Sequence, residues 1–124
     1  MINILLVDDH AIVRDGLKRI ISETTGMKVI AEAENGQMAL DILYENSTIN
    51  FVVLDISMPG LSGLDVLKEI KSHDKELSVL MLSMHAQEQY AIRTLRAGAS
   101  GYLTKESAAT LLVKAIRKIH QGGR

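Results

Sequence analysis

Short aliphatic runs alternate with stretches of helical periodicity along this sequence of 124 residues. Five runs have the length and composition of β-strands, and they span residues 2–7, 28–34, 51–55, 77–83 and 101–104. Between them, apolar side chains recur every three or four positions, as they do on the buried face of an amphipathic helix. This strict alternation predicts an α/β domain whose parallel sheet is covered by helices on both faces.

The composition of each run predicts its place in the sheet. The first, third and fourth runs are apolar on both faces, which is typical of central strands. The fifth run is short and suits an edge. The second suits the opposite, half-exposed edge because small apolar residues alternate with charged ones: Val29, Ala31 and Ala33 against Lys28, Glu32 and Glu34. These features predict a flavodoxin-like (βα)5 fold with strand order 2-1-3-4-5 and a switch point between strands one and three.

Glycines and a hydroxyl side chain predict where helices begin and end. Gly26 and Gly98 lie where the C-caps of the first and fourth helices are expected, and Ser107 is a suitable N-cap for the last helix. We expect one domain over residues 1–120, with residues 121–124 beginning a linker.

Composition excludes several classes of protein. Apolar residues make up 47% of the chain, which is too many for a disordered segment, and the net charge of -1 gives no general attraction to nucleic acid. The chain has no cysteine, which excludes disulfides, thiol nucleophiles and cysteine zinc sites. Neither a membrane-spanning run nor a signal peptide is recognisable, so we expect a cytoplasmic protein without membrane contacts.

Polar residues stand where the predicted strands end. Asp8 and Asp9 follow the first strand, Asp55 ends the third, Ser83 ends the fourth, and the fifth leads into Lys105. Because ligands bind beyond the carboxyl ends of parallel strands, we expect these groups to converge. Carboxylates about 5 Å apart would repel by roughly 3 kcal/mol per pair at an effective dielectric near 20, which favours a proton or a hard cation such as Mg²⁺.

This set of groups is suited to phosphoryl transfer. Asp55 is the best candidate nucleophile, forming an acyl phosphate, while Lys105 supplies positive charge and Ser83 a hydrogen-bond donor. A backbone carbonyl near Ser57, in the turn Met58-Pro59-Gly60, could face the metal. Taken singly, each residue also has an ordinary explanation, such as a helix N-cap for the aspartates or a solvated loop position for Lys105.

Two further residues have open alternatives. His10 is interpreted as part of the loop that opens the first helix rather than as a metal ligand, because no second histidine lies at ligand spacing. Tyr102 on the short fifth strand is equally consistent with a plain edge-strand aromatic residue and with a mobile switch residue.

Four segments together resemble the receiver domain of bacterial response regulators, in the NarL/FixJ subfamily. They are Leu6-Val7-Asp8-Asp9-His10, Val53-Leu54-Asp55-Ile56-Ser57-Met58-Pro59-Gly60, Leu82-Ser83-Met84-His85 and Gly101-Tyr102-Leu103-Thr104-Lys105. The resemblance covers nearly the whole chain in order and spacing. One departure is Glu106, which follows Lys105 where many receivers have proline.

The resemblance implies a role for each site residue. Asp55 would accept a phosphoryl group from the phosphohistidine of a histidine kinase, and Lys105 and Ser83 would bind the phosphoryl oxygens. Ser83 and Tyr102 would act as the switch. Mg²⁺ would be held directly by Asp9 and Asp55, through water by Asp8, and by the Ser57 backbone carbonyl.

The resemblance also implies a signalling switch rather than an enzyme that turns over a substrate. Phosphorylation would control homodimerisation and a DNA-binding LuxR-type helix-turn-helix output domain, which is not in this chain. The alternatives are a stand-alone receiver acting through protein contacts, a small Mg²⁺-dependent phosphatase with an aspartyl nucleophile, and a flavin- or nucleotide-binding module of the same architecture.

Overall fold

The computed structural model describes residues 1–58, 60–84 and 88–122. The predicted turn residue Pro59, the motif residue His85 and residues 123–124 of the predicted linker lie outside the described residues. The strands are β1 (Ile2–Val7), β2 (Met27–Ala33), β3 (Phe51–Asp55), β4 (Ser78–Ser83) and β5 (Gly101–Thr104). The helices are α1 (Ala11–Ser22), α2 (Gly36–Glu45), α3 (Gly63–His73), α4 (Glu88–Arg96) and α5 (Lys105–His120).

The strands form one parallel sheet in the order β2-β1-β3-β4-β5, which confirms the predicted topology. Every residue of β3 is buried, whereas β2 and β5 at the two edges are mostly half-buried. The apolar runs on both faces of the central strands therefore identified their positions correctly, because a central strand must pack against helices on each side.

Two apolar clusters lie on opposite faces of the sheet. On one face, α2 and α3 contribute Leu40, Val66 and Leu67 to the buried cluster. On the other face, α1 and α5 contribute Ile21 and Ile116. With helices packed on both faces, the edge of the sheet at the strands' carboxyl ends is left for the polar groups.

Two of the predicted caps are corrected by the structure. Thr104, not Ser107, is the N-cap of α5, and its Oγ1 accepts a hydrogen bond from the Ser107 amide at 3.1 Å. Lys105 is consequently the first residue of α5 rather than a loop residue. Helix α1 ends at Ser22 with Glu23 as its C-cap, so Gly26 belongs to the turn before β2.

The predicted glycine cap after α4 is confirmed. Gly98 has a φ of 108°, and the amides of Gly98 and Ala99 bond to the carbonyls of Leu95 and Thr94 at 3.1 and 2.9 Å. This pair of bonds is a Schellman motif, in which a left-handed residue is needed and glycine is favoured.

Among the described residues, the helices all lack the length or the apolar character that crossing a bilayer requires.

Candidate functional site

The site lies where β1 and β3 end side by side. Val7 and Leu54 are partners in the β1–β3 ladder, so Asp8, which follows β1, and Asp55, which ends β3, lie at the same level. Both are completely buried, whereas the Asp9 side chain is 27% exposed. The predicted convergence of Asp8, Asp9 and Asp55 is therefore observed: one ligand atom from each, with one from His10, all lie within 4.8 Å of one another.

Lys105 reaches this carboxylate cluster from the start of α5. Its Nζ lies 2.9 Å from Asp55 Oδ2 and 3.2 Å from Asp8 Oδ1, and 7% of its side chain is exposed. The residue thus joins elements that are far apart in sequence but adjacent at the carboxyl edge of the sheet.

Burial and pairing oppose each other in setting the charges of this site. Burial raises the pKa of the Asp55 carboxyl above its ordinary value, and the Lys105 ammonium offsets this only in part. Burial alone would lower the pKa of Lys105, but the hydrogen bonds and charges of Asp55 and Asp8 outweigh it and raise the pKa. Lys105 is accordingly a fixed positive charge at neutral pH.

The cluster has the donor set for a hard divalent cation. Asp8 Oδ2 and Asp9 Oδ1 are buried and accept no hydrogen bond from any residue in the described ranges 1–58, 60–84 and 88–122. Asp8 Oδ2 has only an ion-pair contact with Lys105 Nζ, at 3.2 Å. Buried carboxylate oxygens without donors are costly, and a cation with oxygen ligands such as Mg²⁺ would satisfy them.

The turn after β3 is held against the Asp55 carboxylate. The Ser57 amide donates to Asp55 Oδ1 at 3.1 Å, and the Ile56 amide donates to the Leu82 carbonyl at 2.9 Å. The Gly63 amide closes the turn on the Ile56 carbonyl at 2.8 Å. These bonds fix residue 57 beside Asp55, while the metal-binding role of the Ser57 carbonyl stays a prediction.

The two predicted switch residues occupy neighbouring strands. Ser83 is buried at the end of β4 and pairs in register with Thr104, the residue before Lys105. Tyr102 is half-buried on β5, pairs with Met81, and packs against the apolar cluster covered by α2 and α3. Their positions link the carboxyl edge to the outer strand, and their switching roles stay predictions.

His10 belongs to this site, although sequence reasoning placed it in the loop. It is the N-cap residue of α1, and its Nδ1 lies 3.0 Å from Lys105 Nζ, 3.2 Å from Asp9 Oδ1 and 3.3 Å from Asp8 Oδ1. The sequence feature that could have predicted this is the position of His10 directly after Asp8 and Asp9.

Arg14 was also missed. Its guanidinium donates to the main-chain carbonyl of Asp8 through Nη1 and to Glu32 Oε1 through Nε at 3.2 Å. Lys18 donates to the other Glu32 oxygen at 2.8 Å, and this bond contributes most to lowering the pKa of Glu32. The sequence feature that could have predicted the role of Arg14 is its position one helical turn after His10, on the same side of α1.

Comparison with known proteins decides the family of this chain. The sequence model of the family described as response regulator receiver domain matches residues 4–117 of this chain. The chain belongs to the response regulator receiver domain family. This confirms the resemblance noted in the sequence, including its NarL/FixJ type, since NarL and LuxR-family regulators are among the similar solved structures.

Individual relatives agree with this assignment. The chain is 39% identical over 124 residues to the response regulator UvrY of Escherichia coli K12, covering 100% of this chain and 56% of that protein. It is 32% identical to the response regulator GacA of Pseudomonas aeruginosa, covering 100% of this chain and 58% of GacA. The chain thus spans little more than half the length of these curated relatives.

Solved structures show the same fold. A LuxR-family two-component response regulator from Aurantimonas superposes with a TM-score of 0.92 at 40% identity, covering 98% of this chain and 86% of that one. The signal receiver domain of NarL from Mycobacterium tuberculosis gives a TM-score of 0.90 at 30% identity, covering 98% and 97% of the two chains.

Proposed function

We propose that this chain is the phosphoacceptor domain of a two-component response regulator, in which Asp55 takes a phosphoryl group from a histidine kinase. The observation that carries the proposal is the contact of a fully buried Asp55 carboxylate with the Lys105 ammonium at 2.9 Å, beside the carboxylates of Asp8 and Asp9. The proximity of a candidate nucleophile, an ammonium group and a candidate Mg²⁺ site supports the proposal.

The chain's own residues prepare the transfer. A carboxylate oxygen of Asp55 attacks phosphorus as the P–N bond of phosphohistidine breaks and the imidazole leaves with the bond's electrons. Lys105 is already positioned to follow the new charge from the carboxylate to a phosphoryl oxygen, and Ser83 stands on the neighbouring strand to donate a hydrogen bond. Mg²⁺ held by Asp9, Asp55, the Ser57 carbonyl and, through water, Asp8 would neutralise charge on the phosphoryl oxygens.

The proposed output is a shift between two arrangements of the β4–α5 side of the domain. The phosphoryl group brings nearly two negative charges, which attract Ser83 and Lys105. Tyr102, two positions before the partner of Ser83 on β5, then moves inward and changes the surface formed by α4, β5 and α5. This change would control homodimerisation, through α1 and α5 or through α4 and β5, and a DNA-binding output domain in the cytoplasm.

The test is incubation with acetyl phosphate and Mg²⁺ followed by intact mass measurement. One phosphoryl group is expected per chain, and it should be absent with a chelator and in Asp55→Asn. Asp41→Asn, which neutralises an exposed carboxylate on α2, is the matched control and should be modified like the wild type.

Three outcomes would contradict the proposal. Modified Asp55→Asn would identify another acceptor, and modification that persists in chelator would exclude the metal. Hydrolysis of a phosphomonoester beyond one equivalent would favour the phosphatase alternative instead.

A further inference from the structure

A cavity of about 320 Å³ opens between α2 and α3, at the end of the sheet opposite the phosphoacceptor site. Its floor is apolar and largely buried, and it is built from both helices and from the residues just before β3 and β4. The floor consists of Leu40, Leu43, Ile49, Ile70 and Leu77. This volume is at the lower end of the range for small-molecule sites, so it suits one apolar group of about the size of a phenyl ring.

An aromatic pair stands at the mouth of this cavity. The rings of Tyr44 on α2 and His73 on α3 meet edge to face, with their centroids 5.2 Å apart. The Tyr44 hydroxyl donates to Glu69 Oε1 at 3.2 Å, and His73 Nε2 lies 3.0 Å from the same oxygen. Tyr44 is 56% exposed, so these contacts hold its ring in place without burying it. The ring is therefore available to a ligand that enters the cavity.

The mouth of the cavity favours positive charge. Helices α2 and α3 both end there, and the C-terminal end of a helix carries a partial negative charge. The last turn of α2 contains no basic residue, and the C-cap of α3 is Asp74, which lines the cavity. The Lys71 ammonium of α3 donates to two main-chain carbonyls of the loop before β4. Among the described residues that line the cavity, His73 is the one basic side chain, and Glu69 faces it.

We propose that this cavity binds a small organic cation of the arylalkylammonium class, with its ring on the apolar floor and its ammonium group at the mouth beside Tyr44 and Asp74. The apolar floor does not suit a hydrated inorganic ion, and the negative mouth disfavours carboxylates and phosphates. A cation near the face of an exposed tyrosine ring gains a further attraction. The cavity shares no lining residue with the phosphoacceptor site, so the inference goes beyond the proposed function.

An NMR titration of the isotope-labelled whole chain with phenethylammonium tests the inference, with hydrocinnamate as an anion of similar size and shape. Saturable shifts are expected at the amides of residues 40–49 and 70–77, with a Kd of about 1 mM or below for the cation. The anion should bind about tenfold more weakly, or not at all. The titration needs neither Mg²⁺ nor a phosphoryl donor, so its failure would leave the proposed function standing.

Variants separate the contribution of the ring from that of the charge. Tyr44→Ala should weaken binding of the cation about fivefold or more, whereas Tyr44→Phe, which keeps the ring, should stay within about twofold of the wild type. Asp74→Asn should weaken it about two- to fivefold. Asp65→Asn is the matched control and should bind like the wild type, because it removes the same charge from the opposite end of α3.

The same spectra show whether each variant is folded. The inference is overturned if the shifts do not saturate, if cation and anion bind equally well, or if Tyr44→Ala leaves the Kd of the cation unchanged.

Discussion

The Lys105 ammonium balances only part of the negative charge at the carboxyl edge of the sheet. Asp8 and Asp55 are both completely buried beside it, and Asp9 completes the carboxylate set. The excess negative charge supports the proposed binding of a cation at this edge. Because Asp55 is buried among these charges, its protonation state should change the free energy of unfolding measurably.

Asp55 should make stability fall with rising pH when metal is chelated. Its pKa is raised in the folded state above the ordinary 3.8, so the folded chain holds this proton more tightly than the unfolded chain. The stabilisation is present below the ordinary pKa and is lost as pH rises through the folded pKa. The loss is about 1.4 kcal/mol for each tenfold difference between the proton affinities of the folded and unfolded chains.

Asp55→Asn removes this titration. The unfolding free energy of the variant relative to the wild type should therefore increase as pH rises across that window, as measured by urea unfolding at a series of pH values with chelator. An identical pH slope in both proteins would contradict the raised pKa.

At the scale of elements, the start of α3 is packed directly on the end of β3. A Cβ on Gly63 would collide with the Asp55 carbonyl and with Ile56 Cα, both of them backbone atoms that cannot rotate away. The close approach of α3 therefore depends on a missing side chain, and it fixes the backbone that carries Asp55.

Gly63→Ala should destabilise the domain by about 1–3 kcal/mol, the usual cost of overpacking, and slow phosphorylation by acetyl phosphate. Gly16→Ala in α1 is the matched control, since its Cβ would meet nothing within 4 Å. That control should be neutral or stabilising by up to about 1 kcal/mol, because alanine favours helix. Thermal unfolding of both variants decides the point, and equal effects would show that the contact with β3 is unimportant.

The first helix supports the loop of the proposed metal site through Arg14. Arg14 and Lys18 share Glu32 on β2, but Arg14 alone of the two reaches the Asp8 carbonyl. Comparing variants of Arg14 and Lys18 therefore distinguishes the effect of the ion pair with Glu32 from the effect of the bond to the Asp8 carbonyl.

Arg14→Ala should weaken Mg²⁺ binding about tenfold, a typical effect of losing a group that positions a metal ligand. Lys18→Ala should change Mg²⁺ affinity little, because its bond to Glu32 is on the exposed side of the pair. Isothermal titration with Mg²⁺ measures both. Equal losses in the two variants would assign the effect to the general charge of α1 rather than to the bond with Asp8.

At the scale of the whole molecule, the site is tied to both apolar clusters through the central strands. β1 and β3 carry residues of both clusters; Asp8 directly follows β1, and Asp55 is the last residue of β3. A ligand that draws these strand ends together should consequently stabilise the entire domain rather than one loop.

Mg²⁺ should therefore raise the midpoint of thermal unfolding. At ten times its Kd, binding to the folded state contributes about 1.4 kcal/mol, which for a domain of this size corresponds to a rise of roughly 5 °C. Asp9→Asn should lose most of the rise while remaining folded, because Asp9 is partly exposed. A midpoint that does not respond to Mg²⁺ in the wild type would exclude the cation site.

Sequence by itself determined the order of the strands and the edge at which the polar residues meet. Both follow from local periodicities: β3 is apolar on both faces because it is central, and β2 alternates because it is an edge. Since parallel strands end at one edge, Asp8, Asp55, Ser83 and Lys105 could be assigned to it without coordinates.

Tertiary structure alone decided which atoms touch within that edge. Lys105 lies 97 positions from Asp8 in sequence, and its contact depends on Thr104 capping α5 and on how α5 packs against the sheet. The inward turn of His10 and the reach of Arg14 to the Asp8 carbonyl likewise depend on the packing of α1. Local periodicity specifies which face a side chain occupies, whereas the contacts of a long side chain are set by the elements that pack around it.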